Sequence, residues 1–215
     1  MQRSEADLAN HIEDIYSEPE NIDVDTIKNL GPLRPLAGIW EGSKSVDVNP
    51  KAEGPVRQPY VERIELQPID PQANGPQLFY GLRYHTRIVK PGEIETYHDQ
   101  IGYWLWEPAT ETVILSLAIP RAQVALAVGH AKANATVFEV SATRGKTDYG
   151  ICSTTFLEQA FRTDSFVMKV TINPDGTWSY FEDTLLMLRG TEPFHHTDQN
   201  TLRKIGESTP NPLAR

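Results

Sequence analysis

From Leu36 onward, apolar and polar residues alternate in short segments that are separated by proline, glycine, asparagine and aspartate. The alternation is clearest over 79–88, where one face is largely apolar and the other carries Arg83, His85 and Arg87. A period of two predicts half-buried antiparallel strands with the charged residues on the solvent side. Similar segments lie near 37–46, 58–66, 97–106, 112–119, 122–130, 135–143, 165–172 and 177–189. The pattern therefore predicts about ten strands, with a turn at Pro174-Asp175-Gly176.

The N-terminal segment has a different pattern. Apolar residues recur at helical spacing from Leu8 to Ile15, and a second helical pattern runs from Asp25 to Leu30 before Gly31 and a proline. Glycine followed by proline commonly ends a helix. We therefore expect a helical N-terminal extension over 1–32, a β-barrel domain over 33–206 and a flexible C-terminal tail over 207–215.

The spacing of the predicted strands indicates the fold class. No helix-length segment separates them, so a parallel sheet built from βαβ units is excluded. So many short strands indicate an all-β fold, either a β-sandwich or an up-and-down barrel. Hairpin-length connections favour the antiparallel up-and-down β-barrel, which is lipocalin-like or fatty-acid-binding-protein-like. Over 124–129, valine or leucine alternates with alanine or glycine. The small face would leave room for a ligand inside the barrel, and it would equally suit close packing against the N-terminal helices.

Charge and composition exclude several classes of function. The formal net charge is −9 and no stretch is rich in lysine or arginine, which argues against binding to nucleic acid. No apolar run is long enough to span a membrane, and the first thirty residues do not resemble an export signal. We therefore expect a cytoplasmic protein without a membrane partner. The single cysteine, Cys152, is expected to be a small buried core residue.

The sequence lacks the familiar enzyme motifs, including glycine loops for phosphate, the nucleophile elbow, HExxH and CxxC. Histidine is the side chain that most often holds haem iron or zinc, and the chief candidates among the six histidines are His98 and the adjacent His195 and His196. Adjacent residues of a strand face opposite sides, so at most one of this pair would face a barrel interior. Trp104 and Trp106 share one strand face and are expected to pack in the core.

Several segments carry a family resemblance. The stretch Gly38-Ile39-Trp40-Glu41-Gly42 resembles the Gly-x-Trp-x-Gly opening strand of the nitrobindin-like haem-binding β-barrels, a family also described as fatty-acid-binding-protein-like. The resemblance extends to Tyr60-Val61-Glu62, to Tyr80 and to 98–103, which is similar to the family's His-x-Glu-x-Gly-Tyr. The family's Tyr-Pro-Thr-Ile loop after the first strand is absent here, so the chain is similar to a divergent branch.

The resemblance implies a cofactor and its ligand. The family places its proximal haem histidine after the last barrel strand, and the matching stretch here begins at His196. His196 is thus the implied axial ligand of haem b, with His195 as the alternate. The implied activity is binding of nitric oxide, or isomerisation of peroxynitrite to nitrate, at a ferric haem.

Two other functions stay open. The barrel could be a haem-free intracellular carrier of a fatty acid or another small hydrophobic ligand. It could also be filled by its own side chains and serve as an interaction scaffold. The N-terminal helices could plug one mouth of the barrel, cover a sheet edge or form a homodimer contact.

Overall fold

The computed structural model describes residues 15–210, and its framework consists of twelve β-strands. The strands are β1 (Gly38–Asn49), β2 (Val56–Pro68), β3 (Gln72–Asn74), β4 (Gln77–Val89), β5 (Thr96–Glu107), β6 (Thr112–Ile119), β7 (Gln123–His130), β8 (Val137–Thr143), β9 (Ile151–Ser153), β10 (Phe161–Ile172), β11 (Trp178–Leu188) and β12 (Phe194–Gly206). Short α-helices lie at Thr26–Asn29 and Thr155–Ala160, and a 3-10 helix lies at Gly31–Leu36.

Ten of these strands close into an antiparallel barrel. Its order is β1, β2, β4, β5, β6, β7, β8, β10, β11 and β12, and β12 pairs back to β1. The two shortest strands lie beside this path, because β3 pairs with β4 and β9 pairs with β7. The predicted all-β, up-and-down barrel of about ten strands is confirmed.

The alternation predicted from the sequence determines which side chains face the barrel interior. On β4, Tyr80 and Tyr84 are buried, whereas Arg83 and Arg87 are exposed. On β7 the alanines face inward, as Ala127 at 0% exposure shows, and the larger valine and leucine side chains face outward. The small face of β7 therefore borders the interior, where it leaves room.

One end of the barrel is sealed by the segment that precedes β1. The helix Thr26–Asn29 begins at Asp25, whose carboxylate accepts a hydrogen bond from the Lys28 amide at 3.1 Å. It is followed by Gly31 at φ +54°, so the predicted helix end is confirmed. A Cβ atom on Gly31 would lie 2.5 Å from the Trp106 ring, so only glycine allows this close contact.

The 3-10 helix supplies the apolar seal itself. Leu30, Leu33 and Leu36 are fully buried in the core at this end. The Trp40 indole Nε1 donates a hydrogen bond to the Leu36 carbonyl at 2.8 Å, which ties the seal to β1. At the opposite end, the short helix Thr155–Ala160 buries a single leucine, Leu157.

Three expectations meet different outcomes. The first predicted helix falls mainly on residues 1–14, outside the described residues, and Ile15 lies exposed in a bend. Residues 207–210 have no regular structure, and the rest of the expected tail also lies outside the described residues. The expectation for Cys152 is wrong. Its strand β9 pairs alongside β7, so Ile151 faces inward and Cys152 is exposed.

Candidate functional site

The inward face of the barrel changes from apolar to polar along the barrel axis. Near the sealed end it carries Trp40, Leu66, Leu82 and Trp106, of which none is more than 2% exposed. Further along the same sheet six inward positions are ionisable, namely Asp47 on β1, Glu62 on β2, His98 on β5, Glu182 on β11, and His196 and Asp198 on β12. This polar half of the interior is the candidate functional site.

The ionisable side chains surround a cavity of about 80 Å³, here called the inner chamber. Aromatic side chains form much of the remaining wall, namely Tyr60, Tyr84, Tyr97, Trp104, Trp178 and Tyr180. The backbone N–H and C=O groups of the strands hydrogen-bond to one another around the barrel. The polar atoms that face the chamber therefore belong to side chains.

Tyrosine hydroxyls bind the carboxylates deepest in the inner chamber. The Tyr180 hydroxyl donates to Glu62 Oε2 at 2.9 Å, and the Asn200 amide donates to the same oxygen at 2.8 Å. The Tyr60 hydroxyl donates to Asp198 and lies 2.7 Å from the Tyr180 hydroxyl. These are neutral donors, so they orient the carboxylates without balancing their charge.

Burial changes the protonation of this group. It raises the pKa of Glu62 to about 7 and that of Asp198 to about 6, because a carboxylate loses its hydration inside the barrel. Burial raises the pKa of Glu182 to about 8, and the nearby charges of Asp198 and Glu62 add to the effect. The chamber therefore holds carboxyl groups that change charge near neutral pH.

His196 forms an ion pair with Asp47. Its Nε2 lies 2.7 Å from Asp47 Oδ1, while Asp47 Oδ2 accepts hydrogen bonds from Tyr97 at 2.9 Å and Asn49 at 2.8 Å. Burial alone would lower the pKa of His196, but the hydrogen bond and charge of Asp47 raise it overall. Burial alone would raise the pKa of Asp47, but His196 lowers it overall. Each partner thus stabilises the charged form of the other.

The second interior histidine, His98, has a different environment. Burial lowers the pKa of His98, so the neutral imidazole is favoured. Its Nε2 lies 3.4 Å from Gln100 Oε1, which is a long contact, and Gln100 itself donates to the Tyr84 hydroxyl at 2.8 Å. His98 is therefore a neutral ring that is only weakly held at its Nε2.

A larger cavity of about 500 Å³, here called the outer chamber, lies towards the unsealed end of the barrel. It shares with the inner chamber the side chains of Asp47, Tyr97, His98, Gln100, Glu182 and His196. Its other walls are mainly apolar, formed by Leu117, Ile119, Ala125, Ile151, Leu157, Phe161, Phe166 and Leu186. Lys51 and Arg121 also line it. The outer chamber is thus a mainly apolar cavity with two histidines where it meets the inner chamber and two cations elsewhere in its wall.

The structure separates the two adjacent histidines of the sequence. His196 faces the chambers, whereas the His195 side chain is 65% exposed and its Nδ1 lies 2.9 Å from Asp183. This agrees with the alternation of a strand, because both residues belong to β12 rather than to a segment after the last strand.

The motif glycines and tryptophan have packing positions. Trp40 is buried near the sealed end, and Gly38 has φ +141° at the start of β1. A Cβ atom on Gly42 would lie 2.4 Å from the Asn200 amide, so the glycine leaves room for the side chain that binds Glu62. Gly42 thus supports the inner chamber indirectly.

Sequence reasoning missed most of the inner chamber. Asp47, Glu182 and Asp198 were not singled out, because polar residues on a strand are normally assigned to solvent. The available signal was the period of two in His196, Asp198 and Asn200, which places all three on one face of an extended segment.

Among residues 15–210, no three His, Cys, Asp or Glu side chains are placed to hold a metal ion together. No helix in the same range has both the length and the apolar character needed to cross a membrane.

Comparisons with known proteins agree with the fold. The family model described as "THAP4-like, heme-binding beta-barrel domain" matches residues 29–204. The crystal structure of Rv2717c from M. tuberculosis has a TM-score of 0.59 at 19% sequence identity, covering 85% of this chain and 99% of that chain. A beta-barrel-like protein of a domain of unknown function from Brucella abortus has a TM-score of 0.26 at 8% sequence identity, covering 78% of this chain and 97% of that chain. No curated protein matches the chain significantly.

Proposed function

Because the chain belongs to the family of THAP4-like haem-binding β-barrel domains, we propose that it binds haem b in the outer chamber, with His196 as the axial ligand. The observation that carries the proposal is a mainly apolar cavity of about 500 Å³ that is lined by an inward-facing histidine, His196. Cavities of roughly 300–1,000 Å³ with mainly apolar walls are typical of small-molecule and cofactor sites.

The outer chamber offers each kind of contact that haem requires. Its apolar walls suit the porphyrin faces, and Lys51 and Arg121 would balance the propionates. His196 would hold the iron. Its Nε2 is bound to Asp47, while its Nδ1 has no hydrogen-bond partner within residues 15–210. Asp47 would fix the orientation of the ring, as carboxylates commonly do for histidines that bind metals.

We propose further that the haem-bound protein binds nitric oxide or isomerises peroxynitrite to nitrate. Ferric iron would supply the Lewis acid, and an isomerisation needs no second reactant. The contribution of this chain would be a mainly apolar site beside the neutral ring of His98. A neutral, buried ring adds little charge to the ligand side.

A haemin titration of the purified protein, followed in the Soret region, tests the proposal. We expect a saturable one-to-one spectral shift that is lost in His196→Ala and kept in His195→Ala, the matched control outside the barrel. The His98→Ala variant should still bind haemin, but the spectrum of its nitric oxide complex should differ from that of the wild type. If the wild type gives no saturable shift, or His195→Ala loses it, the proposal is refuted.

The haem-free carrier is the second candidate, and the same apolar walls favour it. Arg121 and Lys51 would then pair with the carboxylate of a fatty acid whose chain occupies the outer chamber. Displacement of a fluorescent fatty acid by oleate tests this function. An Arg121→Gln variant should bind the fatty acid more weakly, and unchanged affinity would contradict the pairing.

A further inference from the structure

The inner chamber has an imbalance of charge. Its wall contains four carboxyl groups, and no lysine or arginine of the described chain lines it. Asp47 is paired with His196, and burial favours the neutral form of His98. The carboxyl groups of Glu62, Glu182 and Asp198 are therefore left without a cation. An unpaired buried carboxylate loses its hydration without compensation, which is why burial raises the pKa of Glu62 to about 7 and that of Glu182 to about 8. A cation bound in the chamber would favour the charged forms of both groups.

Two of these carboxyl groups also have an oxygen without a partner. Glu62 is 2% exposed, and Tyr180 and Asn200 both bind its Oε2, while its Oε1 accepts no hydrogen bond within residues 15–210. The Glu182 carboxylate has one contact in the same range, from the Thr184 hydroxyl at 3.5 Å, which is too long to satisfy it. Both side chains line the inner chamber, so it offers two free acceptors.

Aromatic rings complete the wall around these acceptors. Trp104 and Trp178 are each 2% exposed, and both line the chamber with Tyr60 and Tyr180. Aromatic faces attract cations, most strongly where the cation is desolvated. Carboxylates combined with aromatic rings are therefore suited to an organic cation.

Size and ligand arrangement define the class of cation. No metal-binding group of three side chains occurs among the described residues, so a bare metal ion has no ligand set here. The volume of about 80 Å³ is roughly half of the 150 Å³ that hold benzene, so about three or four heavy atoms fit. A primary ammonium group with a short carbon chain meets both limits.

We infer that the inner chamber binds the ammonium group of a small primary amine, between the carboxylates of Glu62 and Glu182. The carbon chain of a longer amine extends into the outer chamber, since the two chambers share the side chains of His98, Gln100 and Glu182. The inference does not depend on haem, because the inner chamber is complete in the chain itself.

Titrating the haem-free, full-length protein with propylammonium tests the inference, with binding followed by tryptophan fluorescence and calorimetry. The fluorescence should respond because Trp104 and Trp178 line the chamber. We expect saturable binding of propylammonium, tighter binding of hexylammonium, and no response to propan-1-ol or propionate. Equal responses to propylammonium and propan-1-ol would overturn the inference, as would no saturable response to either amine.

Three variants locate the site. Glu62→Gln and Glu182→Gln each remove one charge and should weaken propylammonium binding roughly tenfold or more, the effect of losing one charge-assisted hydrogen bond. Glu65→Gln is the matched control, because Glu65 lies on the outer face of the same strand as Glu62 and pairs with Arg63. If Glu62→Gln fails to fold, Glu182→Gln decides the outcome. Unchanged affinity in a folded Glu182→Gln, or equal weakening in Glu65→Gln, would place the amine elsewhere.

Discussion

Replacing Glu62 by glutamine should change how the stability of the protein depends on pH. Burial raises the pKa of Glu62 from 4.5, its ordinary value, to about 7. The folded protein then holds this proton more tightly than the unfolded chain does. The resulting stabilisation is fully present below the unfolded pKa and is lost as the pH rises through the folded pKa. A difference of about 2.5 pKa units corresponds to about 3 kcal/mol in the free energy of unfolding.

This effect is measured by urea unfolding of the haem-free protein at several pH values between about 4.5 and about 8. The free energy of unfolding of the wild type should fall by about 3 kcal/mol relative to Glu62→Gln over this range. Glutamine keeps the shape of the side chain, and its oxygen can accept the same hydrogen bonds from Tyr180 and Asn200. Glu65→Gln should follow the wild type. Parallel pH profiles for the wild type and Glu62→Gln would refute the reasoning.

Two further substitutions and one chemical reaction test the packing. Trp40→Phe should lower the free energy of unfolding in urea by about 1–3 kcal/mol, because the buried Leu36 carbonyl loses its 2.8 Å hydrogen bond, and equal stability would contradict this. Gly102→Ala should cost about 1–3 kcal/mol in the same assay, since its Cβ would lie 1.9 Å from the Ser116 carbonyl oxygen, and an unchanged midpoint would show that the strands can separate. Cys152 should react completely with a thiol reagent in the folded protein, because it is exposed, and a reaction that requires denaturant would disprove this.

The barrel could be predicted because its outer and inner faces follow the period of two. The alternation in β4 identified Tyr80 and Tyr84 as interior residues and Arg83 and Arg87 as exterior ones, and the structure agrees. The Asp25 to Leu30 segment carried enough local signals to predict where its helix ends. Local sequence suffices where propensity and burial favour the same conformation.

The polar half of the interior could not be predicted in the same way. The last strand, β12, places His196 and Asp198 inside the barrel, which reverses the usual assignment of polar residues to solvent. Asp47 on β1 reaches this strand only through the closure of the barrel, whereas Glu182 lies on the neighbouring strand β11, directly opposite Asp198. Cys152 was misassigned for a related reason, because a three-residue side strand has too little pattern to define its faces.

The 3-10 helix at Gly31–Leu36 closes one end of the barrel, so the interior is reached from the opposite end. Cargo would enter and leave at the rim that holds Lys51, Arg121 and the helix Thr155–Ala160, so exchange rates would depend on the motion of these rim segments. A tether attached near the 3-10 helix at Gly31–Leu36 would leave the rim unobstructed. The closed end is thus the place to immobilise the protein or fuse it to a partner. The open end is the place to alter the rate of ligand exchange.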